Sequence, residues 1–323
     1  MNGPSLLVNV ARPAAEGDPL DVVCAVLSAG ADGVGFADSP RLFGDPWLEA
    51  GRALATTSAA LAGPCTVALG LRHPASVASA VRTLERHHPG RAFVVVGRGE
   101  SSVRNEGLAV PSTTEHREAL DLLAEQLQVD GDRVAPGRVL GAASGPRSLT
   151  ATAASLGGVL VDVGVHPKVV RRAVEVAREA SPGCRVWLFL RAVVTRSDAE
   201  SARSAAPLVG SCATRMVAAP SWYGLDEAAL AAARQVAAGH DYARHGTITA
   251  RNDPDQDDEA TAAVRGRWVL AGDATQVASG ARALAGAGID GLVVAGAMAG
   301  VLERLDELVP ALRQGISDPG GRP

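Results

Sequence analysis

The chain has 323 residues, which is enough for two average domains or for one α/β barrel of ordinary size. Apolar residues make up 47% of the chain and aromatic residues only 3%, so Ala, Val and Leu must fill most of the core. The net charge of −4 and a pI near 6.0 argue against a nucleic-acid partner, because such proteins are usually strongly basic.

Cysteine usage and hydropathy indicate the compartment. The four cysteines lie far apart and form no C-x-x-C pair, so we expect reduced, buried thiols at Cys24, Cys65, Cys184 and Cys212. The apolar runs are shorter than the ~20 residues of a membrane-spanning helix, and the first residues lack the pattern of a secretory signal. We therefore expect a soluble cytoplasmic protein with no membrane partner.

Short apolar runs alternate with amphipathic, alanine-rich segments along most of the chain. Several runs lack polar alternation, which is typical of parallel strands buried on both faces. The predicted strands are Ser5–Val10, Gly33–Ala37, Cys65–Leu71, Ala92–Val96, Arg138–Ala142, Val159–Val163, Arg185–Val193 and Gly291–Ala295. The predicted helices between them are Pro19–Ala29, Trp47–Ala62, Pro74–His88, Glu115–Leu127, Arg147–Leu156 and Pro167–Ala180.

Eight strands with intervening helices predict an α/β fold of the (β/α)8 TIM-barrel type. The main alternative is an open doubly wound sheet, which normally carries a glycine-rich fingerprint at its first strand-to-helix turn. The first turn here, "NVARPAAEGDP", lacks that fingerprint. We therefore favour a barrel that forms a single domain over residues 1–314, followed by a disordered tail at 315–323.

The interval between the seventh and eighth predicted strands is unusually long. It contains a helical pattern at Asp226–Ala238 and the polar run "ARNDPDQDDEA". We expect an insertion over about 207–265 in this interval. The acidic run is interpreted as a solvated loop, with a mobile lid over the barrel mouth as the alternative.

In a barrel, active-site residues come from the C-terminal ends of the strands and the loops that follow them. The segment "AASGPR" is the best phosphate candidate, because Ser144 and Gly145 would lie at a helix N-terminus with Pro146 in its first turn. An ordinary helix cap explains the same residues. The expectation that active-site residues follow the strand ends selects Asn9 and Arg12, Asp38 and Ser39, Arg72 and His73, Gly97 to Glu100, and Ser144 to Arg147.

Two titratable side chains in this set have competing interpretations. Glu100, at a strand end, could act as a general acid, while a solvated glutamate paired with Arg98 is the alternative. His73 could contact a substrate or could simply precede a helix. The seven histidines show no metal-ligand spacing, and the chain has no Walker loop and no G-x-S-x-G motif, so we predict no metal site.

Four segments carry a family pattern. They are "AGADGVGFADSP" with "DPWLEAGRALATTSAAL", "RHPASVASAVRTLERHHPGRAFVVVGRGES", "VLGAASGPRSLTATAASLGGVLVDVG" and "VLAGDATQVASGARALAGAGIDGLVV". Taken in order, they resemble the bacterial-luciferase-like superfamily, and most closely its coenzyme F420-dependent branch of methylenetetrahydromethanopterin-reductase-like enzymes. The resemblance implies a TIM barrel that binds F420, or FMN as the alternative, at its C-terminal mouth.

The resemblance also implies roles for individual residues. Glu100 corresponds to a proton donor or acceptor, and Asp38 would lie under the cofactor ring, so both are expected to be catalytic. Ser39, Arg72 and His73 would contact the substrate. The cofactor-binding residues would be Gly70 and Leu71 at a non-prolyl cis peptide bond that ends the third strand, Gly97, Arg98 and Gly99 beside the flat ring, and Ala142, Ser144, Gly145 and Pro146 at the phosphate.

Two departures from the family pattern narrow the implied chemistry. Ser39 stands where F420-dependent dehydrogenases commonly carry a histidine, and Val165 falls near the position of their substrate-phosphate lysine. Both changes argue against a sugar-phosphate or simple alcohol dehydrogenase. The resemblance then implies a homodimeric F420H2-dependent reductase that transfers hydride to an electron-poor C=C or C=N bond of a small molecule or peptide, such as a secondary-metabolite or modified-peptide intermediate. The alternatives are an FMN-dependent monooxygenase and a cofactor-free barrel with a binding or structural role.

Overall fold

A computed structural model describes residues 4–13, 16–58, 60–128, 138–239 and 258–317. These residues form nine strands and twelve α-helices, with a short 3₁₀ turn at Leu302–Arg304. The strands are β1 (Ser5–Val10), β2 (Gly33–Phe36), β3 (Leu61–Ala68), β4 (Val94–Gly97), β5 (Val139–Ala143), β6 (Gly158–Val161), β7 (Arg185–Val194), β8 (Val269–Gly272) and β9 (Gly291–Ala295). The helices are α1 (Pro19–Ser28), α2 (Pro46–Thr56), α3 (Pro74–His87), α4 (Glu100–Asn105), α5 (Thr113–Gln126), α6 (Pro146–Leu156), α7 (Pro167–Ala180), α8 (Asp198–Ala218), α9 (Glu227–Ala238), α10 (Glu259–Trp268), α11 (Ala274–Ala285) and α12 (Leu305–Ser317).

Eight of the strands close into a parallel barrel. Strands β1 to β7 pair in chain order, and β9 closes the ring by pairing with both β7 and β1. The strand β8 lies outside the ring, where it pairs with the last four residues of β7. The predicted (β/α)8 barrel is therefore confirmed, with one extra strand. Because all barrel strands are parallel, their C-terminal ends lie at one mouth.

Several helices begin immediately after a strand loop with a capping residue and a proline. Asp18 and Asp45 accept backbone N–H groups of the first turns of α1 and α2, and Pro19 and Pro46 follow them. Proline suits this position because its missing N–H has no partner in the first turn and its φ is already helical. These short connections place the N-termini of the helices at the barrel mouth.

Two buried aromatic rings lie against each other in the barrel interior, and the partly buried Phe189 packs against the same cluster. The rings of Phe93 and Trp187 lie 4.7 Å apart between centroids and are inclined by 48°. Glycines make the space for them, because a Cβ at Gly291 would lie 2.5 Å from the Trp187 ring and a Cβ at Gly63 would collide with the Phe93 backbone. Aliphatic side chains complete this layer: Leu7, Val95, Leu140, Leu160 and Val293.

The third strand differs from its prediction in two ways. It begins at Leu61, not at Cys65, because Gly63 and Pro64 lie within the strand and do not form a turn. A non-prolyl cis peptide bond is present, but it joins Cys65 to Thr66, so its expected position at Gly70–Leu71 was wrong. The pairing of β3 with β4 shifts register between Cys65 and Val67, next to this bond.

The C-terminal part of the chain also corrects the predicted boundaries. The helix α12 continues to Ser317 and buries Ile316 fully, so the domain extends past residue 314, while 318–323 lie outside the described residues. The predicted insertion contains α9 with parts of α8 and α10. Most of the acidic run lies outside the described residues, but Asp258 caps α10 by accepting the Thr261 N–H at 2.8 Å.

The structure also bears on two further expectations, the absence of a membrane-spanning helix and the burial of the cysteines. Within the described ranges, the chain has no helix that is both long and apolar enough to cross a membrane. Cys65, Cys184 and Cys212 are buried as expected, and all four cysteines are free thiols. Cys24 is exposed on α1, so its expected burial was wrong.

The aromatic filling of the barrel generates a stability prediction. Phe93→Ala should lower the free energy of unfolding by about 3–5 kcal/mol, because it removes a fully buried ring and leaves a cavity. Denaturant titration measures this loss. Leu42→Ala is the control, because Leu42 is 53% exposed and its truncation should change the stability by about 0.5 kcal/mol or less. Equal effects for the two variants would contradict the role of Phe93.

Candidate functional site

The uppermost layer of the barrel interior consists of small and polar side chains. Alternate residues of a strand face the same side, so the inward-facing residues nearest the C-terminal end of each barrel strand face the mouth. We call this layer the mouth floor. Its members are Asn9 on β1, Gly35 on β2, Cys65 on β3, Gly97 on β4, Ala142 on β5, Asp162 after β6, Arg191 on β7 and Ala295 on β9.

On the mouth floor, Asn9 carries a buried side-chain oxygen that no described residue pairs with. Its residue is 9% exposed, and its Oδ1 atom has no hydrogen-bond partner among the described residues. A Cβ at Gly35 would lie 2.9 Å from this oxygen and 2.7 Å from Cβ of Cys65, so glycine there makes room for the amide. Leaving such a group unpaired costs about 1–3 kcal/mol, and most buried polar groups are paired. A ligand in the mouth would supply the missing partner.

Gly97 permits a close approach between β3 and β4. A Cβ at this position would lie 2.8 Å from Cγ2 of Thr66 and 3.4 Å from Cβ of Ala142. The absence of a side chain therefore lets the half-buried Thr66 enter the mouth beside the floor. The predicted role of Gly97 beside a flat ligand stays a prediction, but its local steric role is clear.

Asp38 and Arg72 were predicted as separate site residues and are partners in the structure. The Asp38 side chain is 1% exposed and accepts hydrogen bonds from Nε and Nη2 of Arg72, at 3.0 and 3.1 Å. It also accepts the Ala68 N–H at 3.3 Å, and Arg72 reaches Asp45 at 2.8 Å. Hydrogen bonding to Asp38 raises the pKa of Arg72 above its ordinary value. The pair therefore ties the end of β2 to the end of β3 and to the start of α2.

Glu100 is the first residue of α4 and faces solvent. Its side chain is 48% exposed and lies 3.4 Å from Nη2 of Arg98 and 3.4 Å from Nη2 of Arg104. Gly99 precedes it in the left-handed conformation, with φ of +76°, and a Cβ there would collide with Ala68. Of the two interpretations of Glu100, the ion-paired and solvated one describes its position here.

The segment from Ser144 to Pro146 forms the start of α6, as predicted. Gly145 is the cap, and Oγ of Ser148 accepts the Gly145 N–H at 3.3 Å and donates to the Gly145 carbonyl at 2.9 Å. The Tyr223 hydroxyl donates to the Ser144 carbonyl at 3.3 Å. First-turn N–H groups and the helix dipole favour an anion at such a position.

The remaining predicted residues lie around the rim. Gly70 is covered by protein, since a Cβ there would lie 2.6 Å from Val103, and the Leu71 N–H donates to the Ala68 carbonyl at 2.9 Å. The exposed His73 caps α3 by accepting the Ala75 N–H at 3.2 Å on Nδ1. The Ser39 carbonyl accepts the Leu42 N–H at 2.8 Å. None of these four belongs to the mouth floor.

A charged cluster at the mouth was not predicted from the sequence. Arg191 donates from Nη1 and Nη2 to the two carboxylate oxygens of Asp162, at 2.5 and 3.0 Å, and Arg215 donates to Oδ2 of the same carboxylate. The Trp268 ring centroid lies 5.4 and 5.6 Å from the two guanidinium carbons. Burial alone would raise the pKa of Asp162, but the two guanidinium groups hold this pKa well below its usual range. One signal was available, because Arg191 is a charge inside the apolar run "VWLFLRAVV".

A double-mutant cycle tests the Asp38–Arg72 pair. We expect a coupling free energy of about 1–3 kcal/mol between Asp38→Ala and Arg72→Ala, because removing one partner leaves the other charge partly buried. The exposed pair of Arg41 and Glu106, 3.3 Å apart, is the control and should couple by less than ~0.5 kcal/mol. Denaturant unfolding of the two cycles measures both quantities. A coupling no larger than that of the control would remove the structural role of the buried pair.

Comparison with solved structures yields neighbours that span almost the whole chain. The coenzyme F420-dependent tetrahydromethanopterin reductase of Methanopyrus kandleri superposes with a TM-score of 0.70 at 17% identity, covering 97% of this chain and 99% of that one. An F420-dependent secondary alcohol dehydrogenase, solved with an F420–acetone adduct, gives 0.69 at 17% identity, covering 96% and 99%. The oxygenating constituent of the 3,6-diketocamphane monooxygenase of Pseudomonas putida, solved with FMN, gives 0.58 at 18% identity, covering 100% of both chains.

At 17–18% identity, these superpositions show that the chain shares the fold of these three proteins. The comparison with curated proteins finds no match. A family model gives the stronger assignment, because the model described as luciferase-like monooxygenase matches residues 20–291, which is most of the chain. The protein therefore belongs to the luciferase-like monooxygenase family.

Proposed function

We propose that this protein is an F420-dependent reductase that transfers hydride to an electron-poor C=C or C=N bond of a small organic molecule. The observation that carries the proposal is the unpaired amide of Asn9 on a floor of small side chains. Family membership supports an oxidoreductase, and the neighbours with F420 in their descriptions have higher TM-scores, 0.70 and 0.69, than the FMN complex at 0.58.

The residues present fit a flat ring that carries a phosphate. Glycine or alanine at the floor positions of β2, β4, β5 and β9 leaves space on that side of the floor, while Arg191 occupies the side of β7. Asn9 offers a hydrogen bond to a polar edge of the ring. In the proposed arrangement, Ala142, Ser144, Gly145 and Pro146 hold the phosphate at the start of α6, and Gly97, Arg98 and Gly99 border the ring.

When bound, the reduced deazaflavin supplies a hydride from its C5 position. The contribution of the chain is to orient the ligands and to exclude water from the reacting atoms. Asp38, held by Arg72, would keep the ends of β2 and β3 in place and would not exchange a proton. Glu100 would take up a proton from solvent and pass it to the product, after exchanging its contacts with Arg98 and Arg104 for a contact with the bound substrate. Ser39 and His73 lie on neighbouring rim segments and would contact that substrate.

Fluorescence titration with F420 and with FMN tests the proposal. We expect submicromolar affinity for F420 and an affinity for FMN at least about tenfold weaker. Asn9→Leu, which keeps a branched side chain, should weaken F420 binding about tenfold or more, because it removes the hydrogen bond to the ring. The same change should not lower the free energy of unfolding of the free protein, because Oδ1 of Asn9 has no protein partner to lose among the described residues.

The outcomes of this titration separate the candidate functions. Asn105→Leu, at an exposed asparagine of α4, is the control and should leave F420 binding unchanged. Tight binding of FMN alone, together with oxygen consumption by the reduced flavin complex, would favour the monooxygenase that the family description names. Failure to bind either cofactor would favour a barrel with a binding or structural role.

The proton-transfer role of Glu100 has its own test. Glu100→Gln should slow the reduction of a cyclic enone by F420H2 by about 10²–10⁴-fold, because the amide cannot supply the proton. The variant should bind F420 with an affinity within about threefold of the wild-type affinity. A tenfold change in affinity would correspond to about 1.4 kcal/mol of binding free energy. Stopped-flow absorbance measures the rate, and Glu118→Gln at an exposed position of α5 is the control. An unchanged rate would remove Glu100 from the chemistry.

A further inference from the structure

The cluster of Asp162, Arg191, Arg215 and Trp268 contains more positive than negative charge. Both oxygens of Asp162 are occupied by the two guanidinium groups, and within the described ranges these arginines form ion pairs with no other carboxylate. Burial raises the pKa of the neighbouring Tyr223 well above neutrality, so its hydroxyl carries no charge that could compensate. One partly buried positive charge therefore lacks a counter-charge among the described residues, which is costly to the extent that it is withdrawn from water.

Several hydrogen-bond donors in the cluster also lack acceptors. Nε of Arg191 and the indole Nε1 of Trp268 are buried and have no partner in the part of the chain that the structure describes. Arg215 uses only Nη1 in a hydrogen bond to a described residue, and its side chain is 36% exposed, compared with 8% for Arg191. Arg215 therefore has donors without a partner among the described residues, on a side chain that solvent reaches.

Contacts with aromatic rings do not satisfy the unpaired N–H donors of these guanidinium groups. The guanidinium carbon of Arg191 lies 5.3 Å from the Phe189 ring and 5.4 Å from the Trp268 ring, and that of Arg215 lies 5.6 Å from Trp268. Each such contact is worth about 0.5–2 kcal/mol, but a ring face accepts no N–H in the guanidinium plane. A planar guanidinium is best satisfied by two oxygens of a carboxylate or phosphate.

The cluster lies where a ligand of the mouth floor can reach it. Asp162 and Arg191 are themselves floor residues, and Trp268 contacts Tyr223, with ring centroids 5.6 Å apart. The Tyr223 hydroxyl donates to the carbonyl of Ser144, which joins the cluster to the start of α6. The positive charge thus lies on the same mouth floor as Asn9, on the side of β6 and β7.

We propose that Arg191 and Arg215 form a subsite for an oxyanion, a carboxylate or phosphate, carried by a molecule that binds at the mouth floor. Asp162 fixes the Arg191 guanidinium, and Arg215 supplies the donors that face the ligand. The oxyanion belongs either to the substrate or to the cofactor. The inference rests on the proposed function only in that a ligand occupies the mouth.

Titration with inorganic phosphate tests the subsite without turnover. By calorimetry at constant ionic strength, the wild-type protein should bind phosphate with millimolar affinity, and Arg215→Gln should weaken this binding about tenfold or more. Arg203→Gln removes the same charge from an exposed position on α8 and should bind phosphate as the wild type does. Equal phosphate affinity in the wild type and Arg215→Gln would overturn the proposal.

A second set of titrations identifies the source of the oxyanion. If it belongs to the cofactor, Arg215→Gln should weaken binding of F420 or FMN but not of riboflavin or the phosphate-free deazaflavin riboside, and a bound cofactor should block phosphate. If it belongs to the substrate, the cofactor-loaded protein should still bind phosphate and Arg215→Gln should leave cofactor affinity unchanged. Phosphate binding that depends on Arg215 in a protein that binds neither cofactor would support the subsite and refute the reductase.

Arg215→Lys guards against loss of folding in the glutamine variant. Lysine keeps the charge but lacks the planar fork, so its phosphate affinity should fall between those of the wild type and Arg215→Gln. Circular dichroism and the thermal midpoint of each variant report whether the barrel is intact. Should Arg215→Gln not fold, a lysine variant that folds and binds phosphate as tightly as the wild type would overturn the requirement for the guanidinium.

Discussion

The filling of the barrel interior by Phe93 and Trp187 is the constraint on which the rest of the molecule depends. Two large rings fit side by side because glycines stand at the facing positions, where any side chain would collide with them or with their backbone. This layer fixes the spacing of the strands and leaves the residues one step above it at the mouth. The layer beneath therefore determines which positions form the mouth floor, since strand alternation decides which residues face inward.

The mouth contains two arginine–aspartate groups that differ in charge balance. Arg72 contacts two carboxylates, Asp38 and Asp45, so its charge is compensated within the protein. Arg191 and Arg215 share the single carboxylate of Asp162. A compensated group stabilises the junction of β2, β3 and α2, whereas the group with surplus charge can still bind an anion. Under the proposal, the side formed by β6, β7 and α8 would select the ligand, while the ion-paired loops after β2 and β3 would form the fixed side of the mouth.

The sequence predicted the parts of the fold that depend on local patterns. The ends of Ser5–Val10 and Gly291–Ala295 agree with the structure residue for residue, because each is an apolar run bounded by polar or turn residues. The start of β3 was missed because Gly63 and Pro64 resemble a turn, while here glycine permits close strand contact. The joining of Asp38 to Arg72 and of Asp162 to Arg191 could not be predicted, since each pair connects separate strands. Placing Glu100 after β4 was correct, whereas its exposure depends on how α4 packs.

The closure of the barrel by β9 affects how the strands can pair while the chain is being synthesised. The strand β1 pairs with β2 on one side and with β9 on the other, so one edge of the first strand stays unpaired until the end of the chain has been synthesised. Arg313 on α12 then contacts Asp32 at 2.9 Å and the Gly30 carbonyl at 2.9 Å, which joins the C-terminal helix to the segment before β2. Exposed strand edges are the usual sites of wrong pairing between nascent chains. Nearly the whole polypeptide must therefore leave the ribosome before the first strand is protected, and chains that stop before β9 are the ones most exposed to aggregation and to chaperones.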